Sequence, residues 1–172
     1  MAEVHIVTDL DALGSLLPAF KQHLRITGCD ADADLMQKLQ SALLSVGGDI
    51  DRVMAKSTVT ATAIANSVDG KVHMALRGPV RTVCSVSVNG DTLAEGEGYK
   101  IIGNRLCIYG NYRDAIVEVV YKAGYHPMPA DLWEAVCLRG AGAYANPIDG
   151  VQERLRASDN LLMPYKYREW IS

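Results

Sequence analysis

Asp30-Ala31-Asp32-Ala33-Asp34-Leu35-Met36-Gln37-Lys38-Leu39-Gln40-Ser41-Ala42-Leu43-Leu44-Ser45-Val46-Gly47-Gly48-Asp49-Ile50 leads within eight residues into Thr58-Val59-Thr60-Ala61-Thr62-Ala63-Ile64-Ala65, and this change of texture decides the fold. In the first run Leu35, Leu39, Leu43, Val46, Ile50 and Val53 step by three or four, the period of a helix with one apolar face. Asp30, Asp32 and Asp34 crowd its start, where the helix dipole favours anions. The spacing predicts a helix over 30–55. Gly47-Gly48 weakens it by about 1 kcal/mol per glycine relative to alanine, so a bend is expected there. The second run alternates β-branched and small residues with period two, which predicts a strand.

Outward from that junction the two textures stay separate. Toward the N-terminus, Leu17, Phe20 and Leu24 share a helical face. Ser15 is placed to cap a helix over 16–24, with Pro18 in its first turn and Gly28 as its stop. Toward the C-terminus the strand texture persists over 58–122. Asp69-Gly70 is expected to join the first strand to Lys71–Ala75, Asn89-Gly90 to turn Val83–Val88 back, and Gly103-Asn104 to link Tyr99–Ile102 with Leu106–Tyr109. Ala115–Tyr121 is apolar on nearly both faces, as suits a strand in the middle of a sheet or under a helix. Helical period then returns over 130–144 and again, more briefly, over 150–157. The fold class is therefore α+β: one mainly helical domain over 1–160, an antiparallel β insert over 58–122, and an extended C-terminal tail over 161–172.

Composition limits what such a chain does. Its 172 residues are 49% hydrophobic and 22% charged, enough for a real core without disulfides or metal. A net charge of −3 removes the broad positive field of a free-standing nucleic-acid binder. Cys29, Cys84, Cys107 and Cys137 form no CxxC pair and read as reduced thiols. No apolar stretch reaches about 18 residues and the N-terminus lacks the pattern of a signal peptide, so no membrane association is expected.

Catalysis needs titratable or nucleophilic groups that converge, and the sequence offers none. His5, His23, His73 and His126 lie far apart with no metal-binding spacing. Asp30, Asp32 and Asp34 lack the glycine and the bidentate glutamate of a calcium loop, and helix capping explains them. Gly96, Gly98 and Gly103 read as turns, not as a nucleotide loop. No catalytic residue, metal ligand or cofactor is expected. Two groups stand out instead. Lys71, Arg77, Arg81, Lys100 and Arg105 in the β region suit either a solvated rim or a surface for DNA phosphates. Leu161-Leu162-Met163-Pro164-Tyr165-Lys166-Tyr167-Arg168-Glu169-Trp170 is rich in the residue types that anchor protein interfaces, although it could equally fold back on the domain.

In order and spacing these features resemble the head–tail connector family of tailed bacteriophages, also called adaptor or head-completion proteins. The resemblance runs from about Leu16 to Trp170. It rests on Gln22-His23-Leu24-Arg25-Ile26 before an acidic stretch and a long helix, and on the proline-led strand Pro79-Val80-Arg81-Thr82-Val83-Cys84-Ser85-Val86-Ser87-Val88. Gly98-Tyr99, Val117-Glu118-Val119-Val120-Tyr121-Lys122-Ala123-Gly124-Tyr125, Pro129-Ala130-Asp131-Leu132 and Leu161-Leu162-Met163-Pro164-Tyr165-Lys166 continue it. Gly47-Gly48 and the early Pro18 depart from the family's pattern.

The resemblance implies a structural, non-catalytic subunit of the virion's head–tail junction, made in the host cytoplasm. It would assemble with itself into a ring, usually of twelve subunits, under the portal protein. The ring would extend the DNA channel, touch the passing DNA without sequence preference, and offer a docking face to the next tail or stopper protein. Carried onto this chain, Leu161, Leu162, Pro164, Tyr165, Tyr167, Arg168 and Trp170 become the expected portal-binding residues. Lys71, Arg77, Arg81, Lys100 and Arg105 become the expected channel residues. Other tail-completion or tail-tube proteins are the alternative, and an enzyme with a dispersed site is a more distant one.

Overall fold

A computed structural model describes residues 3–145 and 152–166, without the side chains of 152–156. The chain divides into two compact units: residues 8–55 with 125–145 and 152–166 are helical, and residues 3–7 with 56–124 are β.

The helical unit contains α1 (Leu10–Leu24), α2 (Asp32–Asp49), α3 (Ala130–Ala145) and α4 (Gln152–Lys166). Apolar faces of all four meet in one core that includes Leu13, Phe20, Leu35, Leu39, Leu43, Val46, Leu132, Val136 and Leu162. Burying each leucine contributes about 1.5–3 kcal/mol. Helix α1 starts six residues before the expected Leu16, because the Asp9 carboxylate, not Ser15, caps it by accepting from Asp11 N at 3.0 Å. Pro18 therefore sits inside the helix, where it removes one bond without ending it.

Helices α1 and α2 end in the same way. Arg25 and Asp51 take left-handed backbone conformations, with φ of 57° and 52°. Ile26 N then bonds Lys21 O at 3.0 Å, and Arg52 N bonds Gly47 O at 2.8 Å, the closure of a Schellman motif. The stop of α1 is thus Arg25, ahead of the expected Gly28. The long helix ends at Asp49, short of the expected Ala55, and Gly47 is part of the reason: a Cβ there would lie 2.5 Å from Arg52 O. Ile50, Val53, Met54 and Ala55 continue the apolar pattern as buried loop residues, which is why the period misreads them as helix.

Arg139 of α3 ties three helices together. Its side chain is 6% exposed and binds Asp49 of α2, Asp159 of α4 at 2.8 Å, Ser45 Oγ at 2.7 Å and Ser158 Oγ at 3.0 Å. Lys21 of α1 bonds Asp32 Oδ1 at 2.5 Å and the Gly28 carbonyl, closing the α1–α2 link. Chiefly through that hydrogen bond to Asp32, its ammonium is held above its ordinary pKa.

The β unit has two sheets where one was expected. Strands β1 (Glu3–Thr8), β2 (Ser57–Ala65), β4 (Val80–Val88), β5 (Asp91–Thr92) and β8 (Ala115–Ala123) form the larger, in the order β1-β2-β8-β4-β5. The apolar β8 is central, as its sequence suggests. Strand β1 was not foreseen. The smaller sheet has β7 (Arg105–Tyr109) between β3 (Lys71–Ala75) and β6 (Tyr99–Ile102). Asn89-Gly90 turns β4 into β5 and Gly103-Asn104 turns β6 into β7, both at the expected places. Asp69-Gly70 only closes the Val68–Lys71 bridge, because β2 and β3 belong to different sheets. Among the described residues no helix is long and apolar enough to cross a membrane.

Candidate functional site: a basic sheet face and the C-terminal helix

Residues opposite each other in an antiparallel ladder share a face, and so do residues two apart on one strand. In the small sheet, Lys100 of β6, Cys107 of β7 and His73 of β3 form one row straight across. The rows on either side are Lys71–Tyr109 and Ala75–Arg105–Ile102. One face therefore carries Lys71, His73, Lys100 and Arg105 together, all exposed. The other face carries Val72, Leu106, Ile108 and Tyr99, all buried, with Met74 and Ile101 half-buried. Burial, with a smaller contribution from Glu95, also raises the Tyr99 phenol above its ordinary pKa.

With strands about 4.8 Å apart and about 3.4 Å per residue along them, the four basic side chains span roughly 10 by 14 Å. The three strands contain no acidic residue. Among the described residues, the side chains of Lys71, Lys100 and Arg105 make no ion pair or hydrogen bond. The face is thus basic and uncompensated.

The other two expected channel residues are elsewhere. Arg77 lies in the link from β3 to β4, where Tyr121 Oη bridges its backbone, accepting from Arg77 N at 3.0 Å and donating to Arg77 O at 3.3 Å. Arg81 lies at a bulge in β4, and its Nε donates to Gly124 O at 2.8 Å. Both serve the connections of the larger sheet. The sequence reading passed over His73, although its i, i+2 spacing from Lys71 in a strand places both on one face.

The expected extended tail is, as far as it is described, the last part of α4, which runs to Lys166 instead of stopping at 157. Leu162 is 0% exposed and belongs to the helical core, with Leu161 and Tyr165 packed against it. Tyr165 Oη donates to Asp131 Oδ2 at 3.2 Å, which holds the end of α4 on the start of α3. Pro164 and Met163 face outward. Ser158, Leu161, Leu162 and Tyr165 are at helical spacing, a signal present within the stretch expected to be a tail. Tyr167, Arg168 and Trp170 lie outside the described residues.

Among the described residues no cluster of three metal-ligating side chains occurs. Of the cysteines, Cys29 and Cys84 are exposed, whereas Cys107 and Cys137 are buried. Burial, and secondarily Glu134, pushes the Cys137 thiol up to about 12.

No protein-family model and no curated protein matches the chain. Solved structures do. A chain of the virion of a native gene transfer agent particle superposes with a TM-score of 0.74 at 22% identity, covering 96% of this chain and 95% of that one. A chain of the native particle's neck, computed with C12 symmetry, gives 0.73 at 19% identity, with 95% and 94% covered. A chain of the empty particle's neck, computed with C6 symmetry, gives 0.71 at 21% identity, with 92% and 94% covered. This chain therefore shares its whole fold with chains from the virion and neck of a phage-like particle, which agrees with the head–tail connector resemblance in its sequence.

Proposed function

We propose that the chain is a structural subunit of the head–tail junction of a phage-like particle, where copies form a ring that continues the DNA channel between portal and tail. The observation that carries this reading is the mutual coverage: the likeness takes in both units and leaves almost nothing over on either side.

The work of such a subunit is geometric rather than catalytic. A ring closes through head-to-tail contacts in which two different surfaces of the same chain meet. The C-terminal segment contacts the portal. Pro164 faces outward near the end of α4, and Tyr167, Arg168 and Trp170 follow it in sequence as further anchors. Leu161, Leu162 and Tyr165 support that contact from within the helical unit, since they are committed to its core. A tail or stopper protein docks on the opposite side of the ring.

The test is association. Purified full-length chain is mixed with portal rings, and separately with tail-tube subunits, and the mass of each product is measured. Stoichiometric addition to portal rings is the expected result. Binding to tail subunits alone would make the chain a tail-completion or tail-tube protein instead.

A further inference from the structure

The geometry points to the outer face of the small sheet, with Lys71, His73, Lys100 and Arg105, as a weak, sequence-independent contact for the phosphate backbone of duplex DNA. Three observations carry it. The cations share one face, established by the register of β3, β7 and β6. The strands supply no acid to neutralise them. No neighbouring side chain among the described residues pairs with Lys71, Lys100 or Arg105, whereas Arg139, Lys21 and Arg81 elsewhere in the chain are each engaged.

Charge left open in this way is complementary to a polyanion. Phosphates are the better match than an acidic protein surface, because protein interfaces are anchored by buried aromatic and apolar groups. This face offers only Ile102, 65% exposed, and a half-buried Tyr109 for that purpose. The cations stand on the face of a three-stranded sheet, not on a helix or two-stranded ribbon of the kind the major groove admits, so the contact is to the backbone and carries no sequence information. Low affinity suits a surface past which DNA moves: three fixed cations hold a strand near the wall without arresting it.

The choice of DNA as the polyanion rests on the neck reading, but the test does not need the ring. Full-length chain is titrated with random-sequence duplex DNA at several low salt concentrations. Neutralising three phosphates gives a slope of log K against log salt of about −2.7, so each doubling of salt weakens binding about sixfold. Replacing Lys71 by Gln, or Lys100 by Gln, should each reduce the slope to about −1.8, and the two together with Arg105→Gln should abolish binding. Arg113→Gln, an exposed cation outside these three strands, should leave it unchanged.

These are surface changes, and an unaltered thermal melt confirms the fold. No binding at low salt, or a triple variant that binds like the parent, overturns the proposal. So does a triple variant that keeps DNA binding but loses self-association, since the face would then be a contact between copies. Normal DNA binding by a chain that ignores portal rings would instead retain this contact and remove the neck reading.

Discussion

Truncating Leu162 to alanine tests whether the stretch from Leu161 is tail or core. Leu162 is 0% exposed, in the same core as Phe20, Leu39 and Leu132. Removing a fully buried leucine side chain costs about 2–5 kcal/mol, the lost transfer energy plus the cavity left behind. With a urea m-value of about 2 kcal/mol/M, the unfolding midpoint of Leu162→Ala should fall by about 1–2.5 M. Its neighbour Met163 is 46% exposed, and Met163→Ala should move the midpoint by no more than about 0.25 M, a surface effect of about 0.5 kcal/mol. Urea titration followed by far-ultraviolet circular dichroism reads both. If Leu162→Ala unfolds with the parent, the residue is not in the core and the last helix does not pack there. A chain cut before Leu161 loses the same contacts, so its failure to enter particles would report misfolding as much as a lost portal anchor.

Other outcomes follow from single contacts. Gly140→Ala puts a Cβ 2.6 Å from the Phe20 ring and should destabilise by about 1–3 kcal/mol; Phe20→Leu in the same chain should recover part of that, and strictly additive losses would contradict the contact. Arg139→Met should cost about 1–3 kcal/mol, whereas Asp49→Asn and Asp159→Asn, whose carboxylates are 41% and 47% exposed, should each cost under about 1 kcal/mol by the same titration. Because the Cys137 pKa is raised, its thiolate is scarce at neutral pH. Iodoacetamide followed by peptide mass analysis should label exposed Cys29 and Cys84 in the native protein and reach Cys137 only in denaturant. Native labelling of Cys137 would place it outside the core.

The sequence discloses those parts of the fold that depend on periodicity and on turn chemistry. Ala130–Ala145 matches the expected 130–144 almost to the residue, because a proline-led start and an uninterrupted apolar face define it. Asn89-Gly90 and Gly103-Asn104 are legible because left-handed backbone, taken here by Asn89, Gly90 and Gly103, selects Asn and Gly at two-residue turns. The misreadings come where one local signal hides a longer-range one. The aromatic and basic run from Leu161 reads as a tail although Leu161, Leu162 and Tyr165 already mark a helical face. Pro18 reads as a first-turn residue, which moves the start of α1 away from Asp9. Strand β1 is six residues long and acquires its meaning only from the sheet edge it joins, a tertiary fact.

The candidate site was legible as composition but not as geometry. The lysines and arginines of the β region, Lys71, Arg77, Arg81, Lys100 and Arg105 among them, are plain in the sequence. Which of them share a face depends on the division into two sheets, and that follows from strand pairing 30 to 66 positions apart. Arg77 and Arg81 drop out for this reason, and His73 enters.

The central claim is that copies of this chain make the ring between portal and tail, and the most direct measurement is the mass of the complex formed with isolated portal rings, by native mass spectrometry. The expected result is a discrete species in which a fixed, symmetry-related number of copies is added to each portal ring, with no such species when tail-tube subunits replace the portal. A chain that stays monomeric beside portal rings, or that adds to tail subunits alone, contradicts it.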